Sequence, residues 1–298
     1  MAESRVAVYG AIAANAAIAL TKFIAAAAVG SGAMLSEGIH STVDMGDGLL
    51  LLLGLHLSKR PPTPRHPYGH GVEVYFWSMV VAGAIFGMGG GVSIYEGILH
   101  LTEPRAVEFS IWTYVVLGIA ALFEGISWWI GVHTFRRENG RRNLWNAIRR
   151  SKDPTTFIVV LEDSAALLGI AVAAIGITLA HVLHMPALDS VASIVIGVLL
   201  CVIAAILARE TWSLLLGESA TPELVASIKE IAERQPGVID AEPPRTMHLG
   251  PEIVHVDLDV HVDPERTSGE LVDTARRIEE EICAEHPEIK RVSLRFPA

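Results

Sequence analysis

Six apolar segments, each long enough to cross a lipid bilayer, restrict what this 298-residue chain can fold into. A membrane-spanning helix needs roughly 20 predominantly apolar residues, and hydrophobic residues make up 51% of the sequence. Because lipid offers no hydrogen-bond partners to the backbone, segments of this length are expected to form helices. We therefore predict a polytopic α-helical membrane domain over residues 1–216, with spans at about 6–29, 33–57, 74–101, 109–135, 155–183 and 187–216.

The polar tail, residues 217–298, predicts a separate C-terminal domain of α+β class. Polar and apolar residues alternate from Ile253 to Val262, a period of two that is typical of a half-buried strand. Turn-forming residues separate the segments. The expected order is αββαβ, a ferredoxin- or metallochaperone-like domain with a helix at 222–234, strands at 238–248 and 253–262, a helix at 268–284 and a strand at 290–296.

Charge is distributed unevenly between these two parts. From Gly217 onward there are 9 Lys and Arg against 18 Asp and Glu, whereas the preceding part holds 14 against 15. A net charge of −9 on the tail argues against nucleic acid as a partner. The two cysteines, Cys201 and Cys283, fall in a predicted span and in the tail, which predicts neither a disulfide framework nor a cysteine-based zinc site.

The loops predict the orientation in the membrane, because Lys and Arg concentrate in cytoplasmic loops. Basic residues follow the second and fourth predicted spans, whereas the alternate loops hold only Arg105; the basic residues are Lys59, Arg60, Arg65, Arg136, Arg137, Arg141, Arg142, Arg149, Arg150 and Lys152. We therefore expect both termini, and the acidic tail, in the cytoplasm. The first segment lacks a cleavage site and an organelle presequence, so we expect a multi-pass protein of a bacterial inner membrane.

An ionisable stripe interrupts the second span. Glu37, His40, Asp44 and Asp47 are spaced by three and four residues, which places them on one face of a helix. Ionisable groups at membrane depth are costly and usually functional, and imidazole with carboxylate suits a divalent transition metal. The stripe therefore predicts a site for a metal ion or protons, and the alternatives are a solvated cavity lining or hydrogen bonds between helices.

Glu162 and Asp163 lie well inside the fifth span. Adjacent residues on a helix point about 100° apart, so only one of these two acids can face the second span. If Asp163 meets His40 and Asp44, three ligands are assembled, and a tetrahedral zinc site needs a fourth from Glu162, Glu37 or water. The alternative is a buried acid that pairs with Lys22 or is hydrogen-bonded to Asn15.

Single acids in the other spans, Glu96, Glu124 and Asp189, are expected to form structural hydrogen bonds or to line a cavity. In the loop after the second span, His66 and His70 can bind a metal, relay protons or belong to a structured turn.

Histidines and acids also share the polar face of a predicted tail strand. His255, Asp257, Asp259 and His261 alternate with apolar residues, and His248 ends the neighbouring strand. This face can hold a regulatory metal or be solvated.

These motifs in this order resemble the cation diffusion facilitator family. The resemblance rests on Asn15, the segment Gly30–Asp44, the loop His66–Gly71, the segment Lys152–Ala166 and the order of the tail. The segment at 152–166 and the basic insert before it are most similar to the zinc transporter nine-like branch. The resemblance implies a homodimeric, proton-coupled exporter of Zn²⁺ or a similar divalent ion.

The resemblance also implies which residues hold the ion. The family's transport site uses two residues four apart on the second span, here His40 and Asp44, and two four apart on the fifth, here Val159 and Asp163. Valine cannot bind a metal, so three family ligands are present and Glu162 is the candidate substitute. The family's loop site corresponds to His66 and His70 with Thr63 at the acidic position, and its tail site to Glu242, Asp257 and Arg295.

Our leading hypothesis is therefore a Zn²⁺/H⁺ antiporter that works by alternating access, with metal, protons and the bilayer as its partners and no prosthetic group. The alternatives are an exporter of Mn²⁺, Co²⁺ or Fe²⁺, or a membrane-anchored metal sensor or scaffold without flux. An enzyme is not expected, because the sequence holds no His-Glu-x-x-His helix and no pairing of nucleophile and base.

Overall fold

The computed structural model describes residues 2–103, 110–139 and 143–297, with side chains from residue 16 onward and none at 138–139. Within these residues, eight helices precede the tail: α1 Ala2–Val29, α2 Gly32–Ser58, α3 Glu73–Ala84, α4 Val92–Thr102, α5 Ile111–Asn139, α6 Leu144–Arg150, α7 Pro154–Val182 and α8 Ala187–Leu216. The predicted α-helical membrane fold is confirmed. Arg105, Arg141 and Arg142, which contribute to the predicted orientation, lie outside the described residues.

Four helical stretches in the described residues are long and apolar enough to cross a membrane: Glu73–Thr102, Ile111–Arg137, Pro154–Val182 and Ala187–Leu216. The described side chains of α1 form a shorter apolar stretch, Ala16–Val29. Helix α2 has 27 residues, which is enough to span the hydrocarbon core at 1.5 Å per residue. It carries three acids, Glu37, Asp44 and Asp47, and ionisable groups at membrane depth are costly and usually functional.

Local sequence signals define where the helices begin. The Asp153 carboxylate accepts a hydrogen bond from the Thr155 N–H at 2.9 Å, and Pro154 occupies the first turn of α7, where its missing N–H is not needed. At the start of α2, Asp189 of α8 accepts from the Gly32 N–H at 2.6 Å and from the Ser31 hydroxyl at 2.5 Å. The predicted structural hydrogen bonding of Asp189 is therefore observed.

A π-helical segment, Ile85–Gly91, joins α3 and α4 within the third span. It contains four glycines, Gly87, Gly89, Gly90 and Gly91. Gly90 faces α8, where a Cβ atom would lie 2.9 Å from the Gly197 carbonyl oxygen. The wide turn and the missing side chains together let the two backbones approach closely, which is a common mode of helix packing in membranes.

The tail contains α9 Pro222–Glu233, β1 Val238–Ala241, β2 Arg245–Gly250, β3 Ile253–Val262, α10 Ser268–Glu285 and β4 Ile289–Arg295. The prediction of one continuous strand over 238–248 is wrong in detail, since that stretch is divided into β1 and β2. Pro243 and Pro244 lie between them, and proline has no N–H to donate to a sheet and a fixed φ. Both parts still pair antiparallel with β3, from Val238↔Val262 to Gly250↔Ile253, with a register shift between Val238 and Asp240 and another between His248 and Gly250. The predicted αββαβ order is therefore kept.

Strand β3 is the centre of the tail sheet, because β4 pairs with it in parallel along its other edge, from Val254↔Ile289 to Asp259↔Arg295. Its even-numbered side chains, Val254 to Val260, are at most 1% exposed. Ile228 and Ile231 of α9 and Ile278 and Ile282 of α10 complete this core. The predicted alternation along the strand is therefore observed.

The described chain divides into two compact units, residues 1–54 with 76–211 and residues 55–75 with 212–298. The loop that follows α2 thus groups with the tail. The predicted domain boundary at 216/217 stays a prediction.

We expect Gly197→Ala to destabilise the protein. A Cβ atom at this position would lie 2.6 Å from Ile94 Cγ1 and 2.8 Å from the Gly90 carbonyl oxygen, and forcing packed elements apart costs about 1–3 kcal/mol. Thermal unfolding of the purified protein in detergent measures the effect. Gly118→Ala is the control, because nothing lies within 4 Å of the added atom. Equal unfolding temperatures for both variants would contradict the close approach of α4 and α8.

The start of α10 predicts a dependence of local stability on pH. The N–H and the hydroxyl of Thr267 donate to the Glu270 carboxylate at 2.9 and 2.8 Å, and these bonds lower the pKa of Glu270. The stabilisation is therefore present above the ordinary carboxyl pKa and is lost as the pH falls through the lowered value. Thr267→Ala removes the cap, at a cost of about 1 kcal/mol.

Hydrogen exchange of the α10 amides in the full chain measures both effects. Glu270→Gln is the matched control, because it keeps an acceptor for Thr267 and cannot titrate. If this variant shows the same loss of protection at acid pH as the unmodified protein, the assignment to Glu270 is wrong.

Candidate metal site

The four ionisable residues of α2 lie on one helix face, as their spacing predicts. Glu37, His40 and Asp47 are at most 1% exposed, and the Asp44 side chain is 16% exposed. His40 Nδ1 lies 3.2 Å from Asp44 Oδ1, but the pair lacks hydrogen-bond geometry. Among the described side chains, neither ring nitrogen of His40 nor Asp44 Oδ1 takes part in a hydrogen bond. Two atoms that could bind a metal ion thus lie close together without forming a hydrogen bond to each other.

A cavity of about 460 Å³ adjoins Asp44. Four acids from three helices line it: Asp44 from α2, Glu124 from α5, and Glu162 and Asp163 from α7. Val159, one helical turn before Asp163, also lines it, so the position that carries a ligand in the resembling family is apolar here. The other lining residues are Ile18, Gly48, Leu51, Phe123, Ile126, Ser127, Ile130 and Gly131.

Helix α5 orients Asp163. The Ser127 hydroxyl donates to Asp163 Oδ2 at 2.7 Å, and one residue along on each helix the Trp128 indole N–H donates to Ser164 Oγ at 2.8 Å. The predicted partners of a buried acid here were Lys22 and Asn15. Lys22 instead pairs with Glu37, with Nζ 3.0 Å from Glu37 Oε2, and the Asn15 side chain lies outside the described part.

Several carboxylate oxygens of this region are buried without a hydrogen-bond partner, namely Glu37 Oε1, Asp44 Oδ1, Asp47 Oδ2 and Glu162 Oε1. A buried carboxylate is stable only when it is protonated, paired with a cation or bound to a metal. In the described residues, no three or more His, Cys, Asp or Glu side chains lie close enough together to hold a metal ion. Of the predicted ligands, Asp44, Glu162 and Asp163 thus border one cavity, whereas His40 is not among its lining residues and reaches it only through its neighbour Asp44, and the ligands do not converge on one point in this conformation.

Glu124 is the acid that sequence reasoning left outside the ligand set. As a single mid-span acid it was expected to form a hydrogen bond or to line a cavity, and it lines the same cavity as Asp44 and Asp163. Its position in the middle of an apolar span was the available signal, but sequence does not reveal which neighbouring helix it faces.

The loop histidines lie close together. The ring centroids of His66 and His70 are 4.5 Å apart, Thr63 Oγ1 lies 3.5 Å from His66 Nδ1, and His70 Nδ1 lies 4.0 Å from Glu73 Oε1. Thr63 and His66 also pair through their backbones in a tight turn. The structured turn is observed, and metal binding by this pair stays a prediction.

The side chains on the polar face of β3 contact one another and their neighbours locally. His255 Nε2 lies 3.3 Å from Asp257 Oδ1, and His261 Nε2 lies 3.7 Å from Glu242 Oε1. Arg295 binds Asp259 with two hydrogen bonds of 2.7 and 2.8 Å. A guanidinium group therefore neutralises the central acid of this face.

Family models match both parts of the chain. The cation efflux transmembrane domain matches residues 8–216, and the cytoplasmic domain of cation efflux proteins matches residues 220–295. The chain belongs to the cation efflux family. It is accordingly a multi-pass membrane protein, and the predicted resemblance is confirmed.

Individual relatives differ in the ion that their names state. The mitochondrial proton-coupled zinc antiporter SLC30A9 of Homo sapiens is 34% identical over 244 residues, which cover 81% of this chain and 43% of that protein. Metal tolerance protein C4 of Arabidopsis thaliana is 30% identical, over 71% of this chain and 46% of the relative. The manganese efflux system protein MneS of Bacillus subtilis is 25% identical, over 86% and 82%. The chain thus spans less than half the length of the first two relatives.

We expect Ser127→Ala to weaken binding of Zn²⁺ by about tenfold, because groups that orient metal ligands typically contribute 10–100-fold to affinity. Ser127 bonds to Asp163, so its removal frees that carboxylate to rotate. Calorimetric titration of the purified protein measures the affinity. Ser164→Ala is the matched control, since it breaks a second bond between α5 and α7 without touching a carboxylate. If both variants bind equally well, Ser127 does not orient a ligand.

Proposed function

We propose that this cation efflux protein exports a divalent metal ion, Zn²⁺ in the first instance, in exchange for protons. His40, Asp44 and Asp163 are the proposed ligands, and Glu162 is the proposed fourth. The observation that carries the proposal is the cavity beside the His40–Asp44 pair, which carboxylates from three helices line. A bound dication compensates the charge of the buried carboxylate oxygens that have no hydrogen-bond partner among the described residues.

Charge balance supports the coupling to protons. If all four cavity acids were ionised, the cavity would carry four negative charges, and a dication neutralises two of them. Metal ligands must be deprotonated to bind, so arrival of the metal displaces protons and arrival of protons displaces the metal.

Alternating access is the proposed mode of transport. The separated ligands converge on the ion, the helices rearrange to open the site on the opposite side, and protons from that side release the metal. We further propose a homodimer, with both termini in the cytoplasm and the protein in the cell membrane. The match to the family's cytoplasmic domain supports a family-like assembly.

Export of Mn²⁺ is the second candidate. Val159 removes one potential nitrogen ligand, so the proposed shell holds one imidazole and three carboxylates. Oxygen-rich shells favour harder ions such as Mn²⁺ over softer ones. The name of MneS, a relative at 25% identity, states manganese efflux.

Flux into proteoliposomes under an imposed pH gradient tests the proposal, with Zn²⁺, Mn²⁺, Co²⁺ and Fe²⁺ measured in turn. We expect gradient-dependent flux for the unmodified protein. Asp44→Asn and Asp163→Asn should each reduce it to the level of protein-free vesicles, because each removes a charged ligand. Glu96→Gln is the control, an acid of the third span that lies outside this cavity.

The outcomes separate the hypotheses. Wild-type flux in both Asp→Asn variants would show that the site is assigned wrongly. Intact metal binding without flux for any of the four ions would favour a membrane-anchored sensor or scaffold.

A further inference from the structure

Lys22 is the only Lys or Arg side chain that is buried among the described residues, with 0% exposure. Its ammonium group donates to Glu37 Oε2 at 3.0 Å and to Ser41 Oγ at 2.7 Å, and Glu37 is also 0% exposed. The two charges therefore link α1 to α2 at a place that is fully shielded from solvent. An ion pair in such a place is retained only while both partners are present, since either charge alone would be strongly unfavourable.

A third helix encloses this pair. Gly169 of α7 lies against the Glu37 carboxylate so closely that a Cβ atom at 169 would collide with Oε1. That oxygen has no hydrogen-bond partner and is fully buried. The glycine therefore makes room for the carboxylate, and the ion pair fills the space where α1, α2 and α7 meet.

The cavity extends from the candidate ligands Asp44 and Asp163 in the direction away from the ion pair. On α2, Glu37 precedes Asp44 by seven residues, about 10 Å along a helix, whereas the cavity-lining residues Gly48 and Leu51 follow Asp44. Helix α7 runs antiparallel to α2, so the order along its sequence is reversed. Gly169, which contacts the Glu37 carboxylate, follows Asp163, and Val159, which lines the cavity, precedes it.

The same arrangement is found along α1. Ile18 lines the cavity, and Lys22, which forms the ion pair, lies one helical turn after it. Three helices thus agree that the cavity extends from the candidate ligands toward the C-terminal end of α2, whereas the ion pair occupies the space on the N-terminal side.

We infer that the Lys22–Glu37 ion pair is the gate on the extracytoplasmic side of the metal site, and that it must separate before metal can leave there. This inference rests on the proposed function and on the orientation predicted from the loops, which places the start of α2 outside.

An ion pair suits this task for two reasons. When the gate is closed, the ammonium group repels a dication that approaches from the metal site. When the helices part, water hydrates both charges, and this hydration offsets the loss of their mutual attraction. The ion pair is therefore stable when the gate is closed, and the separated charges cost little free energy when the gate is open.

Access of a thiol reagent to the metal site tests the gate without requiring transport. The reporter is Asp44→Cys in a Cys201→Ser, Cys283→Ser background, treated with a membrane-impermeant maleimide in intact cells and in inverted vesicles. With the ion pair intact, we expect labelling from the cytoplasmic side only. Lys22→Met with Glu37→Gln removes both charges at similar volume and leaves no isolated charge. We expect this double variant to raise extracytoplasmic labelling by about tenfold, a shift of ~1.4 kcal/mol between the two states.

Two further variants sharpen the test. Lys22→Glu with Glu37→Lys restores an ion pair in reverse and should restore one-sided labelling. Ser36→Ala with Ser193→Ala removes a buried contact between α2 and α8 next to the gate and should leave labelling unchanged.

Equal extracytoplasmic labelling with and without the ion pair would overturn the inference, as would an increase in the Ser36/Ser193 variant of the same size. Failure of the proposed function is a different result, namely absence of metal flux in the unmodified protein, and the labelling pattern does not depend on it.

Discussion

The need to stabilise buried carboxylates governs the membrane part of this protein. Asp44 and Glu162 each have a buried oxygen without a hydrogen-bond partner in the part of the chain that the structure describes, and the low dielectric of the bundle makes such groups costly. The chain meets this cost in two ways. Glu37 has a permanent counter-ion in Lys22, whereas the cavity acids have none and depend on a proton or a metal ion. The second arrangement is less stable without a cation, and in the proposed function that difference in stability drives the binding and release of the metal ion.

Close helix packing makes both arrangements possible. Gly169 allows the Glu37 carboxylate to approach α7, and Gly90 and Gly197 allow the third span to approach α8. In lipid, where apolar side chains gain little by leaving their surroundings, such close contacts and buried polar bonds supply much of the attraction between helices. The small residues therefore place the charged groups and also hold together the bundle that contains them.

Sequence predicts the parts of this structure that depend on local periodicity. The helical spans follow from hydropathy, and the common face of Glu37, His40 and Asp44 follows from the 3.6-residue repeat. The interruption between β1 and β2 was foreseeable from Pro243 and Pro244. In contrast, the choice of Glu37 as the partner of Lys22 and the position of Glu124 at the cavity depend on which helices adjoin, and no spacing within one helix contains that information.

The tail repeats the same physical principle outside the membrane. Its strand β3 presents Asp259 between two other ionisable positions, and Arg295 neutralises that acid with two hydrogen bonds. Arg295, one of the three positions that the resemblance assigns to the family's tail site, thus carries a cation that is covalently part of the chain. A fixed guanidinium group cannot be exchanged, so it stabilises the acidic face under all metal concentrations. The acids at the cavity between α2, α5 and α7 differ in this respect, because none of them forms an ion pair with a Lys or Arg side chain in the described part of the chain.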